Sequence, residues 1–393
     1  MKTTGVTARG IRAPIIRAGD DLIRIITDSL NQAMIHESFA LRDRDVLGVT
    51  ESIVARAQNN YATIEQIAEH VKTLTGGGHL GIVFPILSRN RFSPLLKGIS
   101  MAADKLTILL NFPADEVGNH IVSVDEMDAK GVNPYKDTLT EKRFREIFGE
   151  NTVHPYTGID YVKHYREESL CEVEYAFSND PREILKYTDT VIAADIHTRA
   201  RTRRVLEASG AKLVITLDQI LNEPVRGSGY NSRYGLLGSN KATESSVKLF
   251  PENGQALVED LQKALREMTG ANVEVLIFGD GAYKDPVGNI WELADPVVSP
   301  AFTSGLRGTP NELKMKYLAD NEFSHLSVEQ AREAIIKSIR EKDESLVGSM
   351  RAEGTTPRHL TDLLGSLCDL MGGSGDKGTP IILVQGYFDN YAT

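Results

Sequence analysis

The stretch VEVLIFGDGAYKDPVGNIW, residues 273–291, places charged residues directly after an apolar run. Residues 273–278 are mostly apolar or β-branched, which is typical of a buried strand. A glycine-containing turn follows, and it carries Asp280, Lys284 and Asp285. Two carboxylates and a lysine at the end of a buried strand indicate either a solvated loop or a site for a metal ion and phosphate groups.

Composition restricts the class of protein. The chain has 393 residues, 41% of them hydrophobic and 25% charged, which fits a globular protein of two or three domains. The net charge of −10 argues against a nucleic-acid partner. Cys171 and Cys368 form neither a disulfide framework nor a zinc-type cluster, which suits a reducing cytosol. No signal peptide or membrane-length apolar run is visible, so we expect a cytoplasmic protein without a membrane partner.

Strand and helix patterns alternate along the chain and predict a mixed α/β (α+β) fold. A helix is expected over 20–38 behind Asp20 and Asp21, and a capping box at Ser327 and Gln330 begins another. The remaining strands are predicted over 45–50, 106–112, 120–126, 190–196, 211–218, 246–251 and 379–386, and the remaining helices over 63–73, 197–210, 253–269 and 357–371.

The segment 74–188 has a looser pattern than its surroundings. We interpret it as an inserted α+β subdomain of unknown role. Residues 1–73 and 189–393 would then form the main nucleotide- and metal-binding domain.

Two glycine-rich segments match nucleotide-binding motifs only in part. GGGHLG (76–81) spells G-x-G-x-x-G, but a predicted helix precedes it and a strand follows, which is the reverse of a dinucleotide site. An oxidoreductase built on 190–216 would need a glycine-rich turn where DIHTRAR stands. GGSGDKGT (372–379) departs from the P-loop because Asp376 precedes Lys377. Its glycines would still let backbone N–H groups approach a phosphate, and the alternative is a mobile loop.

Two further segments carry candidate site residues. Asp195 and His197 follow a predicted strand, where α/β sheets often bind substrates. The loop YGLLGSNKATESS (234–246) carries Asn240, Lys241 and Glu244. Glu244 together with Asp280 would supply oxygen ligands suited to Mg²⁺ or Mn²⁺. Solvated acids and arginines are the alternative for both segments.

Five segments stand in the order found in the coenzyme F420-0:L-glutamate ligase (F420-0 gamma-glutamyl ligase) family, which the chain resembles over about 1–72 and 190–393. They are GIRAPIIRAGDDL (10–22), RDVLGVTESIVARAQ (44–58), YGLLGSNKATESS (234–246), VEVLIFGDGAYKDP (273–286) and CDLMGGSGDKGTPIILVQGY (368–387).

The resemblance implies an F420-0 gamma-glutamyl ligase-like fold with an extra inserted α+β lobe. It also implies a GTP-dependent ligase, with ATP as the other candidate nucleotide, that uses Mg²⁺ or Mn²⁺. The small-molecule acceptor would be a carboxylate of the coenzyme F420-0 precursor, to which L-glutamate is joined through an acyl phosphate. A homodimer is expected on the same ground.

Residue roles follow from the same resemblance. Asp280 and Lys284 would be catalytic, and Glu244 and Asp280 would hold the metal. Apart from the resemblance, the positions of Asp195, His197, Asn240 and Lys241 at a strand end and in a loop make them candidate substrate residues. The nucleotide would contact Pro14, Ile15, Ile16, Glu51, Ser52, Arg56, Gly372, Gly373 and Ser374.

The chain departs from the family pattern at several of these positions. Gly281 replaces a threonine of the metal motif, Arg56 replaces a lysine, and Val247 replaces an asparagine that contacts the nucleotide. Two alternatives therefore stay open. One is a gamma-glutamyl ligase for a folate-like or other acidic small molecule. The other is a non-catalytic nucleotide- or ligand-binding homologue.

Overall fold

The structure is a computed structural model, and it describes residues 4–154, 157–279, 298–353, 358–372 and 376–393. The strands are β1 (Thr7–Ile11), β2 (Val46–Thr50), β3 (Tyr61–Thr63), β4 (His79–Val83), β5 (Lys105–Leu110), β6 (Leu139–Thr140), β7 (Glu172–Phe177), β8 (Thr190–Ala193), β9 (Leu213–Thr216), β10 (Asn240–Thr243), β11 (Ser246–Lys248), β12 (Glu274–Gly279), β13 (Val298–Phe302) and β14 (Ile381–Gln385).

The helices lie between these strands. They are α1 (Leu22–Glu37), α2 (Glu51–Ala57), α3 (Ile64–Thr75), α4 (Phe92–Ala102), α5 (Val124–Lys130), α6 (Glu141–Phe148), α7 (Tyr161–Glu168), α8 (Arg199–Ala208), α9 (Gly254–Thr269), α10 (Met315–Tyr317), α11 (Val328–Arg340) and α12 (Leu360–Met371). The mixed α/β fold is confirmed. None of the helices in the described ranges is long and apolar enough to cross a membrane.

Local capping explains where several helices begin. The Asp21 carboxylate accepts a hydrogen bond from Arg24 N at 3.1 Å and starts α1. Ser327 and Gln330 form the predicted capping box of α11. The strand predicted over 120–126 is wrong, because Ser123 Oγ accepts from Glu126 N and starts α5.

A five-stranded sheet has the order β1-β14-β2-β12-β13. Its strand β12 pairs in parallel with β2 and antiparallel with β13. Val275 and Ile277 pack on one face against α1 and α9, while Leu276 and Phe278 pack on the other against α12. Burial on both faces explains why residues 273–278 carry almost no polar positions.

A six-stranded sheet has the order β6-β7-β5-β4-β8-β9, and all its strands are parallel except β6. Counted along the chain, the parallel strands have the doubly wound order 3-2-1-4-5. Ile82 packs on the face covered by α3 and α4, and Val83 packs on the face covered by α8. The predicted βαβ unit of 190–216 belongs to this sheet, so the sequence-based boundary at residue 188 lies between two of its strands.

A small third sheet joins the two large ones. Its order is β10-β11-β3, and β3 leads directly into α3. Lys241 N donates a hydrogen bond to Asn90 O at 2.7 Å, in the loop that follows β4. The third sheet is thereby held against the six-stranded sheet on one side, while its other side faces the five-stranded sheet.

Candidate functional site

A cleft of about 1220 Å³ lies at one edge of the five-stranded sheet. At this edge β1, β2 and β12 end and β14 begins, because β1, β2 and β12 are parallel to one another and antiparallel to β14. The opposite wall is formed by the three-stranded sheet. The cleft therefore lies between two separate sheets.

Backbone hydrogen bonds tie the cleft loops together. Thr50 N donates to Pro380 O at 3.0 Å, and Ala13 N donates to Gly378 O at 3.3 Å. The Thr50 side chain also caps α2. As a result the loop after β1, the start of α2 and the loop before β14 form one continuous wall.

Most of the sequence-predicted nucleotide and substrate residues lie on this cleft. Those that line it are Pro14, Ile15, Ile16, Glu51, Ser52, Arg56, Asn240, Lys241 and Gly372. Their roles remain predictions, but the structure brings together segments that sequence analysis could only place in order along the chain.

Four predicted residues, Asp280, Lys284, Gly373 and Ser374, lie outside the described residues. The neighbouring positions are described. Phe278 lines the cleft, and Gly279 ends β12. The chain therefore leaves β12 at the cleft, immediately before Asp280 in sequence.

Cationic side chains are concentrated along the cleft. The lining cations are Arg17, Arg56, Lys241, Lys248 and Lys377, and the lining acids are Glu51, Asp369 and Asp376. This balance is positive although the whole chain carries a net charge of −10. Such a cleft attracts anionic ligands.

Sequence analysis missed Lys248 and Tyr61. Lys248 is buried and forms an ion pair through Nζ with Glu51 Oε1. Tyr61 lies opposite Lys248 across two paired strands. Burial raises the pKa of the Tyr61 hydroxyl, against the opposing effect of Arg56. The lysine between the apolar residues Val247 and Leu249 was the available signal for Lys248, whereas nothing in the sequence distinguishes Tyr61.

Glu244, the first predicted metal ligand, does not line the cleft. Its side chain is 86% exposed, and Oε1 lies 2.6 Å from Lys241 Nζ. The Lys241 ammonium lowers the pKa of this carboxyl. Within the ranges that the structure describes, no three His, Cys, Asp or Glu side chains gather as a metal site. Glu244 is thus held by Lys241. Its predicted partner in metal binding, Asp280, lies outside the described residues.

Asp195 and His197 lie elsewhere, at the carboxyl edge of the six-stranded sheet. Asp195 Oδ2 accepts hydrogen bonds from Thr198 Oγ1 at 2.6 Å and Thr202 Oγ1 at 2.7 Å. The backbone N–H of His197 donates to Glu116 Oε2 at 3.2 Å. Neither Asp195 nor His197 lines the cleft, so the structure separates them from Asn240 and Lys241.

Comparison with known proteins agrees with the order of the motifs. The family model described as F420-0:Gamma-glutamyl ligase matches residues 10–386, including the segment 74–188. A search of curated proteins found no match. A match over nearly the whole length indicates a ligase, and the cleft gathers the segments that carried the resemblance. The chain therefore belongs to the F420-0:gamma-glutamyl ligase family.

Proposed function

We propose that this protein is a nucleotide- and divalent-metal-dependent amide ligase. It joins L-glutamate to a carboxylate of F420-0 or a related acidic acceptor, with GTP or ATP as the phosphoryl donor. The observation that carries this proposal is the cationic cleft at the edge of the five-stranded sheet. Two of the five cations are paired with carboxylates, Lys248 with Glu51 and Lys241 with Glu244. The other three repel one another, which favours an anionic ligand in the cleft.

The volume of the cleft supports two substrates. Pockets for one small molecule usually measure about 300–1000 Å³, and this cleft measures about 1220 Å³. A nucleotide would fill most of a pocket of ordinary size. The remaining space would admit the acceptor beside it, as transfer between the two requires.

The loop before β14 fits a phosphate group. Lys377, Gly378 and Thr379 line the cleft there. Thr379 Oγ1 is buried and has no hydrogen-bond partner among the described residues. A buried hydroxyl without a partner is costly, and a phosphate oxygen would satisfy it. Gly378 has a positive φ of 62°, a conformation that favours glycine.

The chemistry explains why such a cleft is needed. A carboxylate does not accept an amine directly, because its leaving group is poor. An oxygen of the acceptor carboxylate would attack the γ-phosphorus, and the bond to the β–γ bridging oxygen would break, releasing the nucleoside diphosphate. The glutamate amine would then attack the acyl carbon, lose a proton and expel inorganic phosphate. Both steps concentrate negative charge that Arg56, Lys248 and Lys377 are placed to balance.

The metal requirement is proposed from the family resemblance. A divalent ion would neutralise the triphosphate. Asp280 would hold it, and the exposed, lysine-paired Glu244 would have to leave Lys241 to join. The expected homodimer has the same basis.

Thermal unfolding with GTP or ATP, each with and without Mn²⁺, tests the proposal. The proteins are the parent, Asp280→Asn and the control Asp128→Asn, since Asp128 is exposed on α5. A ligand that binds only the folded state raises the unfolding midpoint. We expect a metal-dependent rise in the parent and the control that Asp280→Asn lacks. We also expect Asp280→Asn to abolish turnover.

The possible results separate the candidate functions. No midpoint shift in the parent with either nucleotide would contradict the proposal. A shift without metal-dependent phosphate release in the presence of F420-0 and glutamate would favour the non-catalytic binding homologue. Phosphate release with a folate-like acceptor but not with F420-0 would identify the other gamma-glutamyl ligase.

A further inference from the structure

Lys248 differs from the other cations of the cleft. It is 7% exposed, whereas its companions along the described walls, Arg17, Arg56, Lys241 and Lys377, are all exposed. The exposed cations can follow a polyphosphate, Lys241 after it leaves Glu244. Lys248 instead offers one charge at a fixed, desolvated position.

The strand register sets this position. Lys248 pairs with Asn240 on β10 and with Tyr61 on β3. Residues directly opposite each other in antiparallel strands share one face of the sheet, and all three residues line the cleft. The lysine thus stands in the middle of a polar row that crosses the three-stranded sheet.

Folding does not explain a lysine here. Val247 and Leu249, its chain neighbours, are fully buried in the apolar core. A buried ion pair is weak evidence for stability, because apolar residues of similar size often replace such a pair without loss. Because side chains alternate along a strand, Lys248 faces the cleft and not that core, so its charge is available to a ligand.

The ion-pair partner lies where the reaction is proposed to occur. Glu51 is 2% exposed. A Cβ added to Gly279 would lie 2.7 Å from Glu51 Cγ, so Glu51 packs against the last residue of β12. Asp280 follows Gly279 directly in sequence. The Lys248–Glu51 pair therefore marks the part of the cleft next to the predicted catalytic segment.

We infer that Lys248, flanked by Tyr61 and Asn240, binds the acceptor carboxylate that becomes phosphorylated, and that Glu51 occupies Lys248 until the acceptor arrives. This inference rests on the proposed ligase function. A carboxylate carries one negative charge and can replace the Glu51 carboxylate on a single ammonium group. The phosphates carry several charges and suit the exposed cations instead. Tyr61 stays protonated at neutral pH and can donate to the same carboxylate.

Substitutions of Lys248 and Glu51 should change F420-0 affinity in opposite directions, and this difference tests the inference. Calorimetric titrations with F420-0 and, separately, with GTP compare the parent, Lys248→Met, Glu51→Gln and the control Lys72→Met, whose lysine is exposed on α3. We expect Lys248→Met to weaken F420-0 binding about ten- to a hundred-fold, with little change in GTP affinity. Glu51→Gln should strengthen F420-0 binding, because it removes the competing carboxylate.

The results that would overturn the inference are distinct from failure of the proposed function. A purely structural pair predicts that both substitutions weaken binding or leave it unchanged. If Lys248→Met lowers GTP affinity instead of F420-0 affinity, Lys248 binds phosphate and the carboxylate assignment is wrong. If Lys248→Met does not fold, the sign of the Glu51→Gln effect still decides. A parent that binds neither F420-0 nor GTP would overturn the proposed function itself.

Discussion

The two large sheets differ in the volume of the cavity at one edge. The five-stranded sheet ends at a cleft of about 1220 Å³, whereas the cavity at the carboxyl edge of the six-stranded sheet measures about 20 Å³. Doubly wound sheets usually bind ligands at the carboxyl edge of their parallel strands. The cavity at that edge has room for about one water molecule, whereas the cleft of the mixed sheet is far larger.

Hydrogen bonds within the protein account for the filled edge. Tyr165 Oη donates to Ile86 O at 2.5 Å and accepts from Ser88 N at 2.9 Å. Asp115 accepts from Leu87 N at 2.8 Å and from Asn119 N at 2.7 Å. These polar side chains satisfy the backbone of the loops that follow β4 and β5.

The buried charged side chains of the cleft have different partners. Lys248 and Glu51 pair with each other on its wall. Buried oxygens without a partner among the described residues occur at both edges, at Thr379 Oγ1 beside the cleft and at Asp195 Oδ1 beside the six-stranded sheet. The comparison teaches that a carboxylate at the end of a strand is weak evidence for a site. The two edges differ in the partners of their polar side chains: Tyr165 and Asp115 bond to backbone groups, whereas Lys248 and Glu51 bond to each other beside the large cleft.

Substitution of Asp115 by alanine should give the largest effect on stability. The change removes the acceptor of several buried N–H groups, which should cost about 3 kcal/mol of unfolding free energy. Urea unfolding measures it, with exposed Asp128→Ala as the control that should stay within about 0.5 kcal/mol of the parent. GTP affinity of the folded variant should match the parent. Loss of GTP binding while the protein stays folded would show that this edge belongs to the site.

Substitution of Arg56 by alanine should give an intermediate effect, and it should change GTP affinity instead of stability. Arg56 is exposed and lines the cleft, so its loss should weaken GTP binding about tenfold, or about 1.4 kcal/mol. The unfolding free energy should change by less than about 0.5 kcal/mol. Arg201→Ala, an exposed arginine on α8, is the matched control and should bind GTP normally. Equal effects of the two substitutions would mean that GTP affinity reflects overall charge and not the cleft.

The smallest effect should be a pH dependence at the six-stranded edge. Burial, with the Asp195 carboxylate nearby, raises the pKa of Glu116 above its ordinary value of 4.5. Between 4.5 and the raised pKa, the folded state binds this proton more tightly than the unfolded state does. Stability from Glu116 is therefore greatest at or below the ordinary pKa and is lost as the pH rises through the raised one.

Glu116→Gln keeps an oxygen to accept from Ile196 N but cannot titrate. Relative to this variant, the parent should become more stable as the pH falls from neutral towards 4.5. Unfolding midpoints of both proteins across this range measure the difference. A difference that does not change with pH would mean that Glu116 titrates normally and that the edge is more open to water than described.

Sequence by itself determined the features that depend on neighbouring residues. The apolar run before Gly279 determined a buried strand, because burial on both faces leaves few positions for polar side chains. The capping box of Ser327 and Gln330 determined the start of α11, because its hydrogen bonds span three residues. The order of the motifs also indicated the family.

Only the tertiary structure decided which of these elements meet. Lys248 faces the cleft beside Tyr61 because of a strand register that joins residues far apart in the chain. Residues 190–216 pair with β4 rather than with the five-stranded sheet, although their local pattern fits either. Asp195 and Asn240, both reasonable site residues from sequence, therefore stand at different edges. Strand partners are chosen by long-range packing on both faces of a sheet, and no local pattern records that choice.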